Sequence, residues 1–384
     1  MRTEYDCASR SGKLLRMRRL HHSLLLFGIL LCTTASASAQ NKVGLTTRTF
    51  HPKETRNWRG AQAKELHCTI WYPAAGASLE TKQFIGAPDA PLFEAGSAQA
   101  HAEFTPSLSQ LPLIVLSHGT GGSALQLAWL GTALARAGFI VAAVDHPGNN
   151  LTEPYTAEGF VLWWERATDL TEVIDGVLAD GDIGPHVDTS RIGAAGFAIG
   201  GYTVLELAGA RTDISVLYDM CRQHPDQDIC HIPEMKDFGS PEQALQTVRK
   251  SSGESLARSA DSFRDARIKA VFAIAPAISE TLTADSLHQI RIPVALVVGA
   301  ADTIAPAADN ANYLRANIRG AQESTLPGPV AHYTFLDTCT AAGKSQLPTY
   351  CTESPGLDRD AVHSQVSELA IGFFTRSLRI GKGK

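Results

Sequence analysis

The sequence predicts an α/β fold with a mostly parallel, doubly wound sheet. Short, uniformly apolar runs recur at 111–116, 139–144 and 271–275, and longer helical patterns alternate with them. Uniformly apolar strands are typical of a parallel sheet with helices on both faces. A glycine-rich stretch at 196–201 separates another such strand from the helix that follows it, which indicates a tight strand-to-helix turn.

The predicted elements follow in chain order over a domain that we assign to residues 40–384. Residues 76–109 are rich in Ala, Gly, Pro and Ser and are predicted to be an irregular surface excursion. Strands are expected over 43–50, 66–72, 111–116, 139–144, 191–195, 271–275 and 294–298, and helices over 124–137, 161–178, 202–208 and 359–378.

One segment, residues 209–266, breaks the alternation. It is polar, contains Cys221 and Cys230, and ends in a helical run. An insertion at this point would lie at the C-terminal edge of the strands, where open α/β sheets bind ligands. We therefore expect a small helical cap, with an excursion on the solvent side as the alternative.

Residues 1–39 have the pattern of a secretory signal peptide. A basic segment over 13–22 precedes an apolar run over 23–31, and small residues at 37–39 form a cleavage site. The run is too short to span a bilayer, although an uncleaved anchor is the alternative. The segment holds six Lys/Arg and two Asp/Glu, so its removal changes the net charge from −5 to −9. We expect a periplasmic or secreted protein without stable membrane insertion or a nucleic-acid partner.

Five cysteines follow the signal segment. In an exported protein we pair Cys221 with Cys230 and Cys339 with Cys351, because each pair closes a short polar loop. Cys68 alternates with apolar residues in a strand and is expected to be a buried free thiol. No Cys-x-x-Cys or His-x-x-x-His spacing occurs, so neither a metal site nor a cofactor is expected.

The turn at 196–201 has the shape of a nucleophile elbow. Its residues, Gly-Phe-Ala-Ile-Gly-Gly, match the Gly-x-Ser-x-Gly pattern of α/β-hydrolases except at the central position, which is Ala198. The glycines allow a sharp turn, and the turn raises the central side chain above the sheet. The sequence thus predicts the α/β-hydrolase fold with a methyl group at the nucleophile position.

Asp302 and His332 are the predicted acid and base. Catalytic residues of this fold come in the order nucleophile, acid, histidine. Asp302 follows the strand at 294–298, and His332 lies in a loop before the final helix, so with position 198 they form a predicted triad. The weaker rivals are His118 after 111–116, His146 after 139–144, His363 inside the final helix, and Asp145, which precedes the elbow.

The backbone N–H groups of Thr120 and Ile199 are the predicted oxyanion hole. Ile199 directly follows the nucleophile position, and Thr120 lies in the turn after the 111–116 strand. Acyl transfer needs such donors where negative charge develops. The glycines at 121–122 allow a substrate to approach this turn, and they do not form a phosphate loop, because no Lys-Ser/Thr follows.

The substrate-binding candidates are Trp163, Trp164 and Tyr202. The two tryptophans follow a loop, 149–159, that leaves a strand at its active-site end. Adjacent residues on a helix point in different directions, so at least one of the tryptophans is expected to pack in the core. Asn149 and Asn150 are polar candidates in the same loop, with turn formation as the alternative.

Three blocks carry a family resemblance: Ser-His-Gly-Thr-Gly-Gly at 117–122, the segment 138–146, and the elbow at 196–202. They resemble exported bacterial proteins described as dienelactone-hydrolase-like, and also the platelet-activating-factor acetylhydrolases, which are serine lipases of this fold. The resemblance covers roughly residues 45–378 and implies an esterase with serine at position 198. True dienelactone hydrolases have cysteine at the elbow. The acetylhydrolases take their acid from the preceding strand, where this chain has Pro276, so the acid stays assigned to Asp302.

Ala198 leaves two interpretations open. The chain is either an inactive form in which alanine replaces a serine, or a natural pseudo-hydrolase that binds an ester-like or peptide-like ligand without cleaving it. The presence of Asp302, His332 and the Thr120 turn favours the first interpretation, the inactive form. The expected partner is a small ester-type molecule, and an amide or peptide is the alternative substrate for the same triad.

Overall fold

The computed structural model describes residues 41–52, 56–105 and 110–379, so the predicted signal peptide lies outside the described residues. The strands are β1 (Lys42–Phe50), β2 (Leu66–Ala74), β3 (Thr81–Ala87), β4 (Ala90–Ala100), β5 (Leu111–Ser117), β6 (Ile140–Val144), β7 (Val187–Phe197), β8 (Ile268–Ile274), β9 (Val294–Gly299), β10 (Gln322–Leu326) and β11 (Thr338–Cys339). The α-helices are α1 (Ala128–Arg136), α2 (Ala157–Val161), α3 (Glu165–Ala179), α4 (Ile199–Ala208), α5 (Ser215–Gln223), α6 (Pro241–Ser251), α7 (Gly253–Ala257), α8 (Ala284–Leu287), α9 (Ala311–Asn317), α10 (Ala341–Gln346), α11 (Pro348–Cys351) and α12 (Arg359–Ser377).

The predicted α/β fold is confirmed. The strands are ordered β10-β9-β8-β7-β5-β6-β2-β1-β4-β11, with β3 paired to β4. The six strands from β10 to β6 along this order are parallel. Every residue of β5 and β6 is buried, because α3 and α4 pack on one face of the sheet and α1 and α12 pack on the other.

The predicted irregular excursion at 76–109 was wrong for most of its length. Two strands, β3 and β4, form a hairpin there through a two-residue turn at 88–89. The small residues that suggested a loop are needed for packing, because β4 lies close to α1. A methyl group on Gly96 would lie 2.5 Å from Oγ1 of Thr132, and Ala95 and Ala98 are buried.

Two predicted helices are shorter than expected because tertiary hydrogen bonds shape their ends. Residues 124–127 form turns, in which Oε1 of Gln126 accepts the N–H of Gly119 at 2.6 Å, so the helix begins at residue 128. The helix predicted over 161–178 is α3 and begins only at residue 165, because residues 162–164 separate it from the short helix α2, which ends at residue 161. At this break the Trp164 indole donates to the carbonyl oxygen of Ser255 at 3.2 Å.

The insertion at 209–266 contains α5, α6, α7 and two 3-10 turns. Its Ile229, Pro233 and Glu234 line a cavity that also contacts Ala198, at the end of β7. No helix in the described part of the chain is long and apolar enough to cross a membrane.

Two disulfides close short loops, one within the insertion and one before α12. Cys221 is bonded to Cys230 and Cys339 to Cys351, over separations of 9 and 12 residues, while Cys68 is buried and free. In the chain-entropy model each bond stabilises the fold by roughly 2–3 kcal/mol. We expect non-reduced peptide mapping to recover both bonds and an unmodified Cys68. A bridged Cys68, or either pair found reduced in exported protein, contradicts this prediction.

Candidate active site

The elbow residue Ala198 has an unusual backbone conformation. It lies between β7 and α4 with φ 54° and ψ −119°, a region that non-glycine residues rarely occupy. The flanking glycines permit this turn. A methyl group on Gly196 would lie 2.2 Å from the carbonyl oxygen of Gly200, and one on Gly200 would lie 2.0 Å from that of Ser117. The chain therefore keeps a strained nucleophile elbow although its central side chain is a methyl group.

Asp302 and His332 are hydrogen-bonded to each other. Nδ1 of His332 lies 2.7 Å from Oδ2 of Asp302, and both residues are buried. The other carboxylate oxygen of Asp302 accepts the N–H groups of Ile304 and Ala305 at 3.0 and 2.7 Å. His332 and Ala198 line the same cavity. With Nδ1 engaged by the carboxylate, Nε2 is the ring nitrogen left for proton transfer, which is the arrangement of a general base.

Thr120 and Ile199 carry backbone N–H groups beside the elbow. Neither N–H donates a hydrogen bond to another residue that the structure describes. Thr120 lines the main cavity, and both residues line a smaller one of about 50 Å³. Two unpaired backbone donors next to the nucleophile position can stabilise an oxyanion.

The loop over 118–121, which carries the predicted oxyanion donor Thr120, rests on a buried polar network. Arg166 of α3 donates to the carbonyl oxygen of His118 and, at 3.2 Å, to Oδ1 of Asn149. The same Asn149 oxygen accepts the backbone N–H of Gly121 at 2.8 Å. Burial lowers the pKa of Arg166 to about 9, so its charge persists near neutral pH. Asn149 therefore supports the loop, and Asn150 bonds within its own turn.

A second row of buried hydrogen bonds runs beside this network. Oγ of Ser117 lies 2.9 Å from Nε2 of His146, and Nδ1 of His146 lies 2.6 Å from Oδ2 of Asp169. Asp169 also pairs with Arg59 at 2.6 Å and with Arg56. Ser117, His146 and Asp169 are hydrogen-bonded in the same succession as the serine, histidine and aspartate of a catalytic triad. All three side chains are fully buried, however, so a substrate does not reach them. Burial lowers the pKa of His146 to about 3, which keeps this ring neutral.

The cavity over Ala198 has a volume of about 480 Å³. Its polar wall is formed by Glu234 of the insertion and by the side chains of Tyr155, Tyr333 and Tyr350. The other walls are largely apolar, and their members include Ile85, Phe93, Leu151, Ile229, Ile304 and Leu336. A pocket of this size and character suits a small molecule with an apolar body.

Two of the three predicted substrate-binding residues lie elsewhere. Tyr202 is fully buried and donates to Oε1 of Glu206 at 2.6 Å, because its position on α4 faces the helices of its own layer. Trp164 is also fully buried in that layer. Trp163 lines the smaller cavity, which shares Thr120 with the main one. Among the rival histidines, His118 is buried with a lowered pKa, and His363 stacks on Trp129.

The sequence patterns missed the polar wall and the buried network. Tyr333 directly follows His332, so its position next to the base was a usable signal. Arg166 and Asp169, three residues apart on an otherwise apolar helix face, were a second signal, because buried charges are paired. Glu234 has no local signal, since it lies in a polar insertion without periodicity.

Similarity to known proteins covers different parts of the chain. A family model described as platelet-activating factor acetylhydrolase, isoform II, matches residues 93–159, a stretch that does not reach the elbow. Cutinase est1 of Thermobifida alba is 30% identical over 113 residues, which is 29% of this chain and 35% of that protein. Lipase 1 of a Moraxella species is 28% identical over 96 residues, or 25% of this chain and 27% of that protein. The chain thus matches about a third or less of the length of these relatives.

The whole fold has a counterpart among solved structures. The structure of a ferulic acid esterase from Streptomyces cinnamoneus aligns with a TM-score of 0.59 and 21% identity, over 90% of this chain and 92% of that chain. At this identity the alignment establishes the fold alone. Together with the strand order and the elbow between β7 and α4, it shows that the chain has the α/β-hydrolase fold.

Proposed function

We propose that this chain is a carboxylic-ester hydrolase scaffold that, with Ala198 at the elbow, binds an ester without cleaving it. One observation carries the proposal. The strained elbow residue Ala198, the histidine of the Asp302–His332 pair and Thr120 line one cavity, and only the nucleophilic oxygen is lacking. The second unpaired backbone N–H belongs to Ile199, which directly follows Ala198 and lines the adjoining smaller cavity. A fold that had lost all use of the site would have no need for the strained backbone at Ala198.

The chemistry follows from these groups. In triad catalysis the histidine takes a proton from the nucleophile, which then attacks the carbonyl carbon, and the backbone donors bind the resulting oxyanion. The N–H groups of Thr120 and Ile199 are available to bind a carbonyl oxygen in the ground state. The Ala198 methyl group has no proton that His332 can take and no lone pair, so no acyl-enzyme forms at this position.

Ester specificity is supported by the relatives that carry the names cutinase and lipase. The mostly apolar walls of the main cavity are consistent with a small ester, and an amide would use the same machinery. Export from the cytoplasm is part of the proposal, and it is supported by the two disulfides, because such bonds persist in oxidising compartments.

The proposal predicts binding without turnover. We expect the Ala198 protein to bind the amide analogue of a short-chain p-nitrophenyl ester with a Kd within about tenfold, or 1.4 kcal/mol, of that of the Ala198→Ser variant. The reason is that the cavity and both oxyanion donors are independent of the missing hydroxyl. Isothermal titration calorimetry measures both affinities, and intact-mass spectrometry after incubation with the ester should show no adduct on the Ala198 protein.

A blocked variant is the control for this experiment. The backbone N–H of Ala277 donates to the carbonyl oxygen of Ala198 at 3.2 Å, and Ala277 lines the cavity, so Ala277→Trp should fill it and abolish the binding heat. Circular dichroism verifies that this variant is folded. No binding by the Ala198 protein would show that the cavity is not an ester site. A covalent adduct on another residue, or turnover matching the Ala198→Ser variant, would show that the elbow is not the nucleophile position.

A further inference from the structure

Glu234 reaches from the insertion to the loop over 118–121. It lies in a 3-10 turn over residues 233–238, is half-buried, and lines the main cavity together with Ala198 and His332. A methyl group built on Gly121 would lie 3.1 Å from Cγ of Glu234, so the stem of this side chain sits directly above the loop that carries Thr120. Glu234 therefore borders the space that an ester bound at Thr120 would occupy.

The carboxylate of Glu234 lies near tyrosines and is not neutralised by a Lys or Arg ion pair within the described residues. Burial raises the pKa of Glu234, while the charge of His332 and the hydroxyl groups of Tyr350 and Tyr333 act to lower it. No Lys or Arg in the described part of the chain forms an ion pair with this carboxylate. The rings of Tyr333 and Tyr350 are 4.8 Å apart and steeply inclined, and both side chains line the cavity together with Glu234.

Tyr155 adds a further hydrogen-bond acceptor to the polar wall of the main cavity. Its hydroxyl group donates to the carbonyl oxygen of Gly121 at 2.8 Å, which leaves the lone pairs of the phenol oxygen free. The wall thus offers hydrogen-bond acceptors inside a mostly apolar cavity. A half-buried carboxylate without a cationic partner gains most from a ligand that donates a hydrogen bond to it.

We propose that Glu234, with Tyr333 and Tyr350, forms a specificity subsite for a hydroxyl group carried by the ester substrate. The inference rests on the proposed function and adds a substrate class to it: hydroxylated esters such as phenolic ones. An alkylammonium group is the poorer fit, because the cavity walls are largely apolar and transferring a cation into them costs more than transferring a hydroxyl group. A site with a buried acceptor discriminates against a ligand that lacks the donor, since the acceptor is then left unpaired.

The test compares esters that differ only in the donor. The probes are methyl 4-hydroxybenzoate and methyl 4-hydroxycinnamate, each paired with its 4-methoxy analogue, so that two lengths are sampled. Calorimetry on the Ala198 protein should show at least one hydroxyl ester binding about tenfold or more tightly than its methoxy partner. Glu234→Leu should reduce this ratio to about one without changing the affinity for the methoxy ester, and the milder Glu234→Gln should reduce it in part.

Asp237→Asn is the matched control, because Asp237 belongs to the same turn and lines the same cavity but is exposed. This variant should keep the full ratio. If the hydroxyl and methoxy esters of both pairs bind with equal affinity, the subsite proposal is wrong and the proposed function still stands. The same conclusion follows if the affinity ratio is unchanged in Glu234→Leu. Tighter binding of methyl 4-(trimethylammonio)benzoate than of the hydroxyl esters also overturns the subsite proposal, in favour of a cation site. If none of the esters binds, the proposed function itself fails.

Discussion

Ala198→Ser is expected to give this protein hydrolytic activity toward short-chain p-nitrophenyl esters, at least about 1,000-fold above the Ala198 protein. Removing the nucleophile of a serine protease costs about a million-fold in kcat, so its introduction into a complete site has a large effect. The substitution adds one oxygen at a backbone position that already has the elbow conformation, with φ 54°. His332, oriented by Asp302 at 2.7 Å, is then the base that takes its proton.

Two measurements separate triad catalysis from background hydrolysis. A fluorophosphonate probe should label the Ala198→Ser variant stoichiometrically, as seen by intact mass, and should leave the Ala198 protein unlabelled. The double variant Ala198→Ser, His332→Gln keeps the hydroxyl group but removes the base, and its rate should fall by about 1,000-fold or more. A folded Ala198→Ser protein with no rate above background on esters, lactones or amides would refute the esterase proposal and favour a binding protein.

Asp169→Asn is expected to destabilise the fold by about 3–5 kcal/mol, the cost of breaking a buried ion pair by removing one partner. Asp169 is fully buried and pairs with Arg59, Arg56 and His146, so its loss leaves two buried guanidinium groups without their shared counter-charge. Burial alone would raise the pKa of Asp169, but the charges of Arg59 and Arg56 lower it well below its usual value. Its stabilisation is therefore present above about pH 4 and is lost as the pH falls through the lowered pKa.

Asp182→Asn is the matched control for this prediction. Asp182 also pairs with an arginine, Arg48, but its side chain is 85% exposed, so the change should stay within about 0.5 kcal/mol of the parent protein. Urea unfolding with both disulfides intact, at pH 7 and again at pH 3, gives the comparison. The prediction is wrong if Asp169→Asn unfolds within about 1 kcal/mol of the parent at pH 7.

The sequence alone determined the layered fold and the order of the candidate catalytic positions along the chain. Uniformly apolar runs such as 111–116 are local signals of a strand with both faces covered, and the structure buries that strand entirely. The elbow is partly local, because Gly196 meets the backbone of Gly200 within one turn, whereas Gly200 itself meets the backbone of Ser117. Asp302 and His332 were predicted because Asp302 follows the strand at 294–298 and His332 lies in the loop before the final helix, in the order that this fold requires.

The tertiary structure alone decided which side chains face the cavity. Tyr202, next to the elbow in sequence, turns into the helical layer, whereas Tyr155 from a loop and Tyr350 from α11 are distant in sequence and line the site. The small residues of β4, which resembled a loop in the sequence, leave room for the close packing of α1. Periodicity reports which face of an element is apolar, and it carries no information on what a segment a hundred residues away will bring to that face. Glu234 and the Arg166–Asp169 network depend on such distant contacts, so they became visible only in the folded chain.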